Sequence, residues 1–145
     1  MKKTLTVFVL VLSTIIFFTG RANAQNMSQL PNAAQTFIKT YFPKLQISKI
    51  EEDDKIYETK SFEVIFTNGY EVTFDSKGVW FVVDCQEDAI PEALIPVNIN
   101  SYVKKNFPGD FITQIEVIKG EYDIELQSDL SLLFDRKGNF KSVDH

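Results

Sequence analysis

One block of this chain is written twice, and that limits the folds open to it more than any other feature. Residues 30–84 (LPNAAQTFIKTYFPKLQISKIE, then FEVIFTNGYEVTFDSKGVWFVVD) recur as residues 95–144 (IPVNINSYVKKNFPGDFITQIE, then YDIELQSDLSLLFDRKGNFKSVD). The opening halves align at a shift of 65 positions and the closing halves at a shift of 60, so the first copy carries five extra residues after Glu51. Two copies are too few for a solenoid, which takes about three stacked units. The expected product is a two-lobed domain or a pair of small fused ones.

Each copy opens with a short amphipathic helix. In the first, Pro31 sits where a missing N–H costs nothing, Ala34, Phe37, Ile38 and Tyr41 form one apolar stripe, and Pro43 ends it. The second repeats the design with Pro96, Ile99, Tyr102, Val103 and Asn106, and stops at Pro108. Strands follow, beginning at Ile47 and Ile112. Phe62, Val64 and Phe66 alternate with Glu63 and Ile65, and Tyr122, Ile124 and Leu126 alternate with Asp123 and Glu125. Asn68-Gly69 predicts a left-handed hairpin turn, with Ser128-Asp129 as its counterpart. Tyr70, Val72 and Phe74 then continue the buried face, as do Leu130, Leu132 and Phe134, leaving Glu71, Thr73, Ser131 and Leu133 outward. The matching turns Asp75-Ser76-Lys77-Gly78 and Asp135-Arg136-Lys137-Gly138 lead into a last strand in each copy. There Trp80 precedes Val83, and Phe140 precedes Val143, by three residues, a spacing that calls for a bulge if both are to face the core.

The N-terminus is a different kind of segment. Lys2 and Lys3 precede an apolar run that ends at Ala22-Asn23-Ala24, the pattern of a cleaved export signal rather than a membrane anchor. Removing residues 1–24 leaves 12 basic and 20 acidic residues, moving the formal charge from -5 to -8. That balance excludes a nucleic-acid role, which rests on basic patches, and suits a basic partner. The mature chain is expected in the periplasm or outside the cell, with no stable membrane insertion. Its division is residues 25–85 for the first repeat, 86–94 for a linker stiffened by Pro91 and 95–145 for the second. Cys85 is the only cysteine, so no internal disulfide forms; it reads as a small strand-end residue, with pairing between molecules as the alternative. The matching place in the second copy is His145, the only histidine.

Motifs for catalysis are absent: no metal-binding or nucleophile signature, no phosphate loop and no cysteine pair occurs. Glu63 and Glu71 across the hairpin are the nearest thing to an acid–base pair. The acidic stretch 51–60 between the first two strands of copy one reads as an extended hairpin or mobile loop rather than a cation site, because consecutive acidic side chains point apart. Neither cofactor nor metal is expected. What remains is a surface, the sheet face that the helices leave open.

The run L-P-x-x-A-x-x-F-I-x-x-Y-F-P, the N-G hairpin, F-D-x-x-G-x-W and V-D-C, followed by the second I-P, Y-V, F-P and F-D-x-x-G copy, resembles the exported PepSY-like family. That resemblance covers nearly all of the mature chain. It implies an α+β fold of two tandem repeats, each a helix packed on an antiparallel sheet of about four strands, joined into one concave sheet like that of the beta-lactamase inhibitor protein. It also implies binding or restraint of a protease or other enzyme.

The reading from the residues is a non-catalytic exported binding module that holds a protein or peptide, such as an envelope enzyme, on the non-helical face. Its candidate contacts are Glu63, Ile65, Glu71, Thr73, Trp80, Asp123, Glu125 and Leu133. The alternative is a binder of a small molecule or envelope component at the seam between repeats, near Trp80 and Phe140.

Overall fold

The computed structural model describes residues 27–53 and 60–144. The export signal, Asp54 to Thr59 of the acidic stretch, and His145 therefore lie outside the described residues. After a 3-10 turn at Met27–Gln29, the order is α1 (Asn32–Tyr41), β1 (Ile47–Asp53), β2 (Ser61–Phe66), β3 (Glu71–Asp75) and β4 (Trp80–Asp84). A second 3-10 turn (Glu92–Leu94) leads to α2 (Val97–Asn106), β5 (Ile112–Ile118), β6 (Glu121–Leu126), β7 (Ser131–Phe134) and β8 (Phe140–Asp144). All eight strands join in one antiparallel sheet in sequence order. The repeats are thus fused through β4 and β5, with Val82 opposite Glu116, Val83 opposite Ile115 and Asp84 opposite Gln114. The fold is α+β, built from two tandem units.

One row of side chains explains the fusion. Ile50, Val64, Val72, Val83, Ile115, Ile124, Leu132 and Val143 stand opposite one another from strand to strand across the whole sheet. All are aliphatic, and all but Leu132 are β-branched, the type that packs best on a pleated surface. The six inner ones are fully buried. Both helices cover this same face. Phe37 of α1 meets Phe74 edge-on at 5.4 Å and Trp80 at 6.0 Å. Tyr102 of α2 meets Phe134 edge-on at 5.4 Å and stacks on Phe140 at 4.7 Å. The Pro31 and Pro96 sites cap the two helices as the sequence indicates.

The bulge that the Trp80–Val83 spacing requires is present in both copies. Thr73 pairs with Val82 but Phe74 with Trp80, which leaves Phe81 as the extra residue; Leu133 pairs with Ser142 but Phe134 with Phe140, which leaves Lys141. The hairpin after β2 differs from expectation. Only Gly69 has positive φ (89°), and Phe66 bonds both Gly69 and Tyr70, so the connection is a three-residue turn closed by a left-handed glycine. A two-residue turn would need Asn68 left-handed as well. In the second copy Asp129 holds that left-handed position (φ 63°).

Of the two readings of the acidic stretch, its start follows the extended hairpin and not the loop, since Glu51, Glu52 and Asp53 continue β1 and pair with Glu63, Phe62 and Ser61. Each Asp-to-Gly turn docks on the helix that opens its own repeat. Asp75 Oδ1 accepts from the backbone N–H of Lys77 and Val79, and Asp135 Oδ1 from those of Lys137 and Asn139. Gly78 lies so close to α1 that an added Cβ would stand 2.8 Å from the Ala34 nitrogen; at Gly138 the nearest atom, 3.1 Å away, belongs to the Asn98 side chain.

Two stability predictions follow from these turns. Gly78→Ala, which combines positive φ with a backbone clash, should cost about 2–3 kcal/mol in urea unfolding, and Gly138→Ala about 1 kcal/mol less, because Asn98 can turn aside. Asp129→Gly should raise stability by about 0.5–1 kcal/mol, the cost of a left-handed aspartate. Equal losses at the two glycines, or no gain at residue 129, would contradict this account of the turns.

Candidate functional site

The face opposite the helices carries two rows that also cross every strand. One runs Glu51, Glu63, Thr73, Val82, Glu116, Asp123, Leu133, Ser142. The next runs Lys49, Ile65, Glu71, Asp84, Gln114, Glu125, Ser131, Asp144. Strand alternation puts the described side chains of these rows on the open side, because the aliphatic row they flank faces the helices. Glu63, Ile65, Glu71, Asp123, Glu125 and Leu133 all stand here, half-buried, as the sequence places them.

Two of the candidate contacts are placed differently. Thr73 shares the face but is only 8% exposed, so it floors the surface instead of looking outward. Trp80 is on the wrong side: it is opposite Phe74 and packs on Phe37 beneath α1. Its position in the bulged strand, which shifts it onto the core face, is the reason. A seam pocket shared by Trp80 and Phe140 is likewise excluded. Trp80 is on β4 and Phe140 on β8, with β5, β6 and β7 between them.

Sequence reasoning missed Lys49, Glu51, Val82, Asp84, Gln114 and Glu116. The signal existed in the alternation of ISKIEE and ITQIEV, which puts Glu51 and Glu116 on the same face as Lys49 and Gln114. The β4–β5 pairing that brings Glu116 into line with Glu63 could not be read from either repeat alone.

Carboxylates here gather in repeat-related pairs. Glu51 faces Glu63, and Glu116 faces Asp123. Burial holds the Glu63 carboxyl above the ordinary value of 4.5, and the charges of Glu71 and Glu51 push it further in the same direction. Glu51 itself is held below that value by its hydrogen bond and ion pair with Lys49. At the equivalent place in the second repeat, Glu116 is raised by burial and by Asp123. A shallow cleft of about 390 Å³ lies over Glu51, Glu52, Asp53, Ser61, Glu63 and Thr73. Its counterpart, about 410 Å³, lies over Ile118, Lys119, Glu121, Asp123, Leu133 and Arg136. Among the described lining residues the charged ones are all acidic in the first repeat, where Lys49 and Lys60 pair with Glu51 and Glu52 from beside the cleft, and of both signs in the second.

Unequal carboxyl pairs can serve acid–base chemistry, but such work is favoured by a site that shuts out water. These pairs lie on an open strand face. Among the described residues no group of three or more His, Cys, Asp or Glu side chains is placed to hold a metal ion. Cys85 is 1% exposed and its thiol is pushed up to about 12, by burial first and then by Asp84 and Asp88. It fills a strand end, and a buried neutral thiol is a poor candidate for pairing between molecules.

A duplicated helix-on-sheet unit whose eight strands form one antiparallel sheet, with both helices on the same face, defines a class of α+β tandem-repeat folds. The chain belongs to the PepSY-like family, described as "putative beta-lactamase-inhibitor-like", whose profile matches residues 18–61 and 60–142. Solved structures agree. A Bacteroides vulgatus member of the DUF2874 family is 38% identical over 83% of this chain and 94% of its own, with a TM-score of 0.78. A second B. vulgatus protein, of unknown function, is 30% identical over 83% and 96%, with a TM-score of 0.80. A Bacteroides thetaiotaomicron protein, described as "putative calcium-regulated", is 40% identical over 83% and 94%, with a TM-score of 0.75. No curated protein matches the chain. All three relatives are described as periplasmic, and the location of this protein is periplasmic or secreted. No helix among the described residues is long and apolar enough to cross a membrane.

The raised carboxyls give a pH signature. Glu63 binds its proton more tightly folded than unfolded, so its ionisation opposes folding as pH rises through its folded pKa. Glu63→Gln should therefore melt at a higher temperature than the parent at pH 7, with the gap closing as pH falls to 4.5 and below. Glu116→Gln should behave in the same way. A gap that widens toward acid pH would show that these carboxylates stabilise the fold.

Proposed function

We propose that this protein is a non-catalytic binding module of the cell envelope that holds a basic segment of another protein on its open sheet face. The observation that carries the reading is the repeated acid pair, Glu51 with Glu63 and Glu116 with Asp123, set in one row of a face whose two central rows contain one cation, Lys49. Glu71, Asp84 and Glu125 of the neighbouring row extend the negative field between the pairs. Ile65, Val82 and Leu133 supply the apolar spots on which aliphatic stems of Lys or Arg can rest. Inhibition of a bound protease or other enzyme is the consequence this reading gives to the family's description, with the partner's basic loop as the part held.

The spacing makes the proposal specific. β1 and β5 are four strands apart, so the two acid pairs lie about 19 Å apart at the usual strand separation. An extended peptide crossing the strands covers that distance in about six residues. A peptide with two Lys-Arg clusters six residues apart should bind at least about tenfold more tightly, by calorimetry at low salt, than the same composition with the clusters adjacent. The double variant Glu71→Lys, Glu125→Lys should lose about tenfold or more in affinity while its Tm stays within a degree or two. Equal affinity for both peptides, or unchanged binding by the double variant, would remove the open face as the site.

Calcium enters through the description of the B. thetaiotaomicron relative. Here it is expected to act on the acid rows as a diffuse counter-ion, weakening peptide binding no more than magnesium does at equal ionic strength. A larger effect of calcium would point to a specific site.

A further inference from the structure

The cleft over Ile118, Asp123 and Leu133 is the copy of the one over Glu52 and Glu63, yet one substitution between the repeats changes its chemistry. Arg136 stands where the first repeat has Ser76, and it is the only arginine after residue 24. Its side chain is laid on the β5–β6 hairpin: a Cβ added at Gly120 would stand 3.0 Å from the Arg136 Nε and 3.2 Å from its Cδ and Cγ. That hairpin turns through two left-handed residues, Lys119 (φ 51°) and Gly120 (φ 83°). Glycine at position 120 therefore serves both the turn and the seat of the guanidinium. The same turn brings Lys119 to the cleft.

Among the described lining residues the charged ones are Lys119, Glu121, Asp123 and Arg136. The Lys141 ammonium holds Glu121 at 2.9 Å, so that charge is already offset. Neither Lys119 nor Arg136 joins an ion pair among the described residues. Two cations thus stand against Asp123 over the apolar side chains of Ile118 and Leu133. On a face whose two rows are acidic, this end carries an excess of positive charge.

We propose that the second-repeat cleft is a carboxylate subsite, in which Arg136 and Lys119 take the side chain of a glutamate belonging to the same partner segment whose basic residues rest on the acid pairs. The inference rests on the basic-segment reading of the open face and adds a polarity to it. A guanidinium fork matches the two oxygens of a carboxylate, and the methylene groups of a glutamate can lie on Ile118 and Leu133. A dianionic phosphate suits the cleft less well, since Asp123 lines it too. The cleft of the first repeat has no cation among its described lining residues, so the acidic end of the segment is directed to the second. An all-basic segment would set like charge against Arg136, which selects against it. Arg136 leaves the β7–β8 turn one to two strand spacings past Asp123, about 5–10 Å, so the glutamate falls about two or three residues beyond the second basic cluster.

The test extends the two-cluster peptide, beyond one cluster, by Gly-Gly-Glu or by Gly-Gly-Gln, and compares the two by calorimetry at low salt. The glutamate form is less positive, so net charge alone makes it the weaker ligand of an acidic protein. The expected result is the opposite, binding about three- to fivefold tighter than the glutamine form. Arg136→Ser, which puts the first repeat's residue in this place, should erase that preference while leaving binding of the glutamine form within about twofold and the circular dichroism unchanged. In the nitrogen-15 spectrum of the exported chain, residues 25–145, the single arginine Nε–H signal should move with the glutamate peptide and stay in place with the glutamine one. Equal or weaker binding of the glutamate form, a preference that survives in Arg136→Ser, or tighter binding of a phosphoserine form than of the glutamate form would overturn the subsite while leaving the open face as the site of the basic clusters. Failure of both peptides to bind would remove the subsite and the open-face reading together.

Discussion

Contact between Val83 and Ile115 is the interaction on which the rest of this structure depends. It is the point at which two small helix-on-sheet units become one sheet, and it sits in the middle of an aliphatic row from Ile50 to Val143 that both helices cover. Burying a side chain of this type is worth roughly 1.5–3 kcal/mol. A unit of some sixty residues has little core of its own, so each repeat relies on this shared row. The open face exists because the same alternation that buries one row exposes its neighbours, and the register that fuses the core is therefore the register that aligns the acid pairs.

The register also fixes which residues can meet. A slip of one residue between β4 and β5 would turn Glu116 into the core and break both the aliphatic row and the line from Glu63 to Asp123. Stability and surface chemistry are set by one pairing here, and neither can drift without the other. The bulges at Phe81 and Lys141 belong to the same constraint. They let Trp80 and Phe140 join the aromatic cluster under each helix while Val83 and Val143 remain in the aliphatic row.

Local pattern made much of this legible. Prolines bounded both helices, alternation separated Val64 and Val72 from Glu63 and Glu71, and the three-residue interval from Trp80 to Val83 announced a bulge. What could not be read was long-range. The partner of β4 is a strand 30 residues further on, beyond a helix, and nothing in WFVVD or ITQIEVI names the other as its neighbour. Glu116 was missed for that reason, although its alternation with Ile115 was visible. Trp80 was misplaced because a bulge reverses the face of the residues on one side of it, and alternation alone does not say which side.

Divergence between the copies falls on the open face far more than on the core. Val64 and Ile124, or Val72 and Leu132, exchange one aliphatic for another, whereas Ile65 stands opposite Glu125 in the alignment, Glu71 opposite Ser131 and Thr73 opposite Leu133. One acidic feature survives in both: a glutamate on the first strand of each repeat facing an acid on the second, with one member of each pair pushed toward protonation by burial and by its neighbours' charge. An arrangement that opposes ionisation in the free protein is unfavourable for folding and favourable for capture. A cation placed beside Glu63 or Glu116 offsets the burial and the like charge that raise that one carboxyl of each pair, so part of the cost carried by the folded sheet is returned on binding, together with a proton where the site was not fully ionised. The aliphatic row supplies the stability that allows the open face to keep that charge.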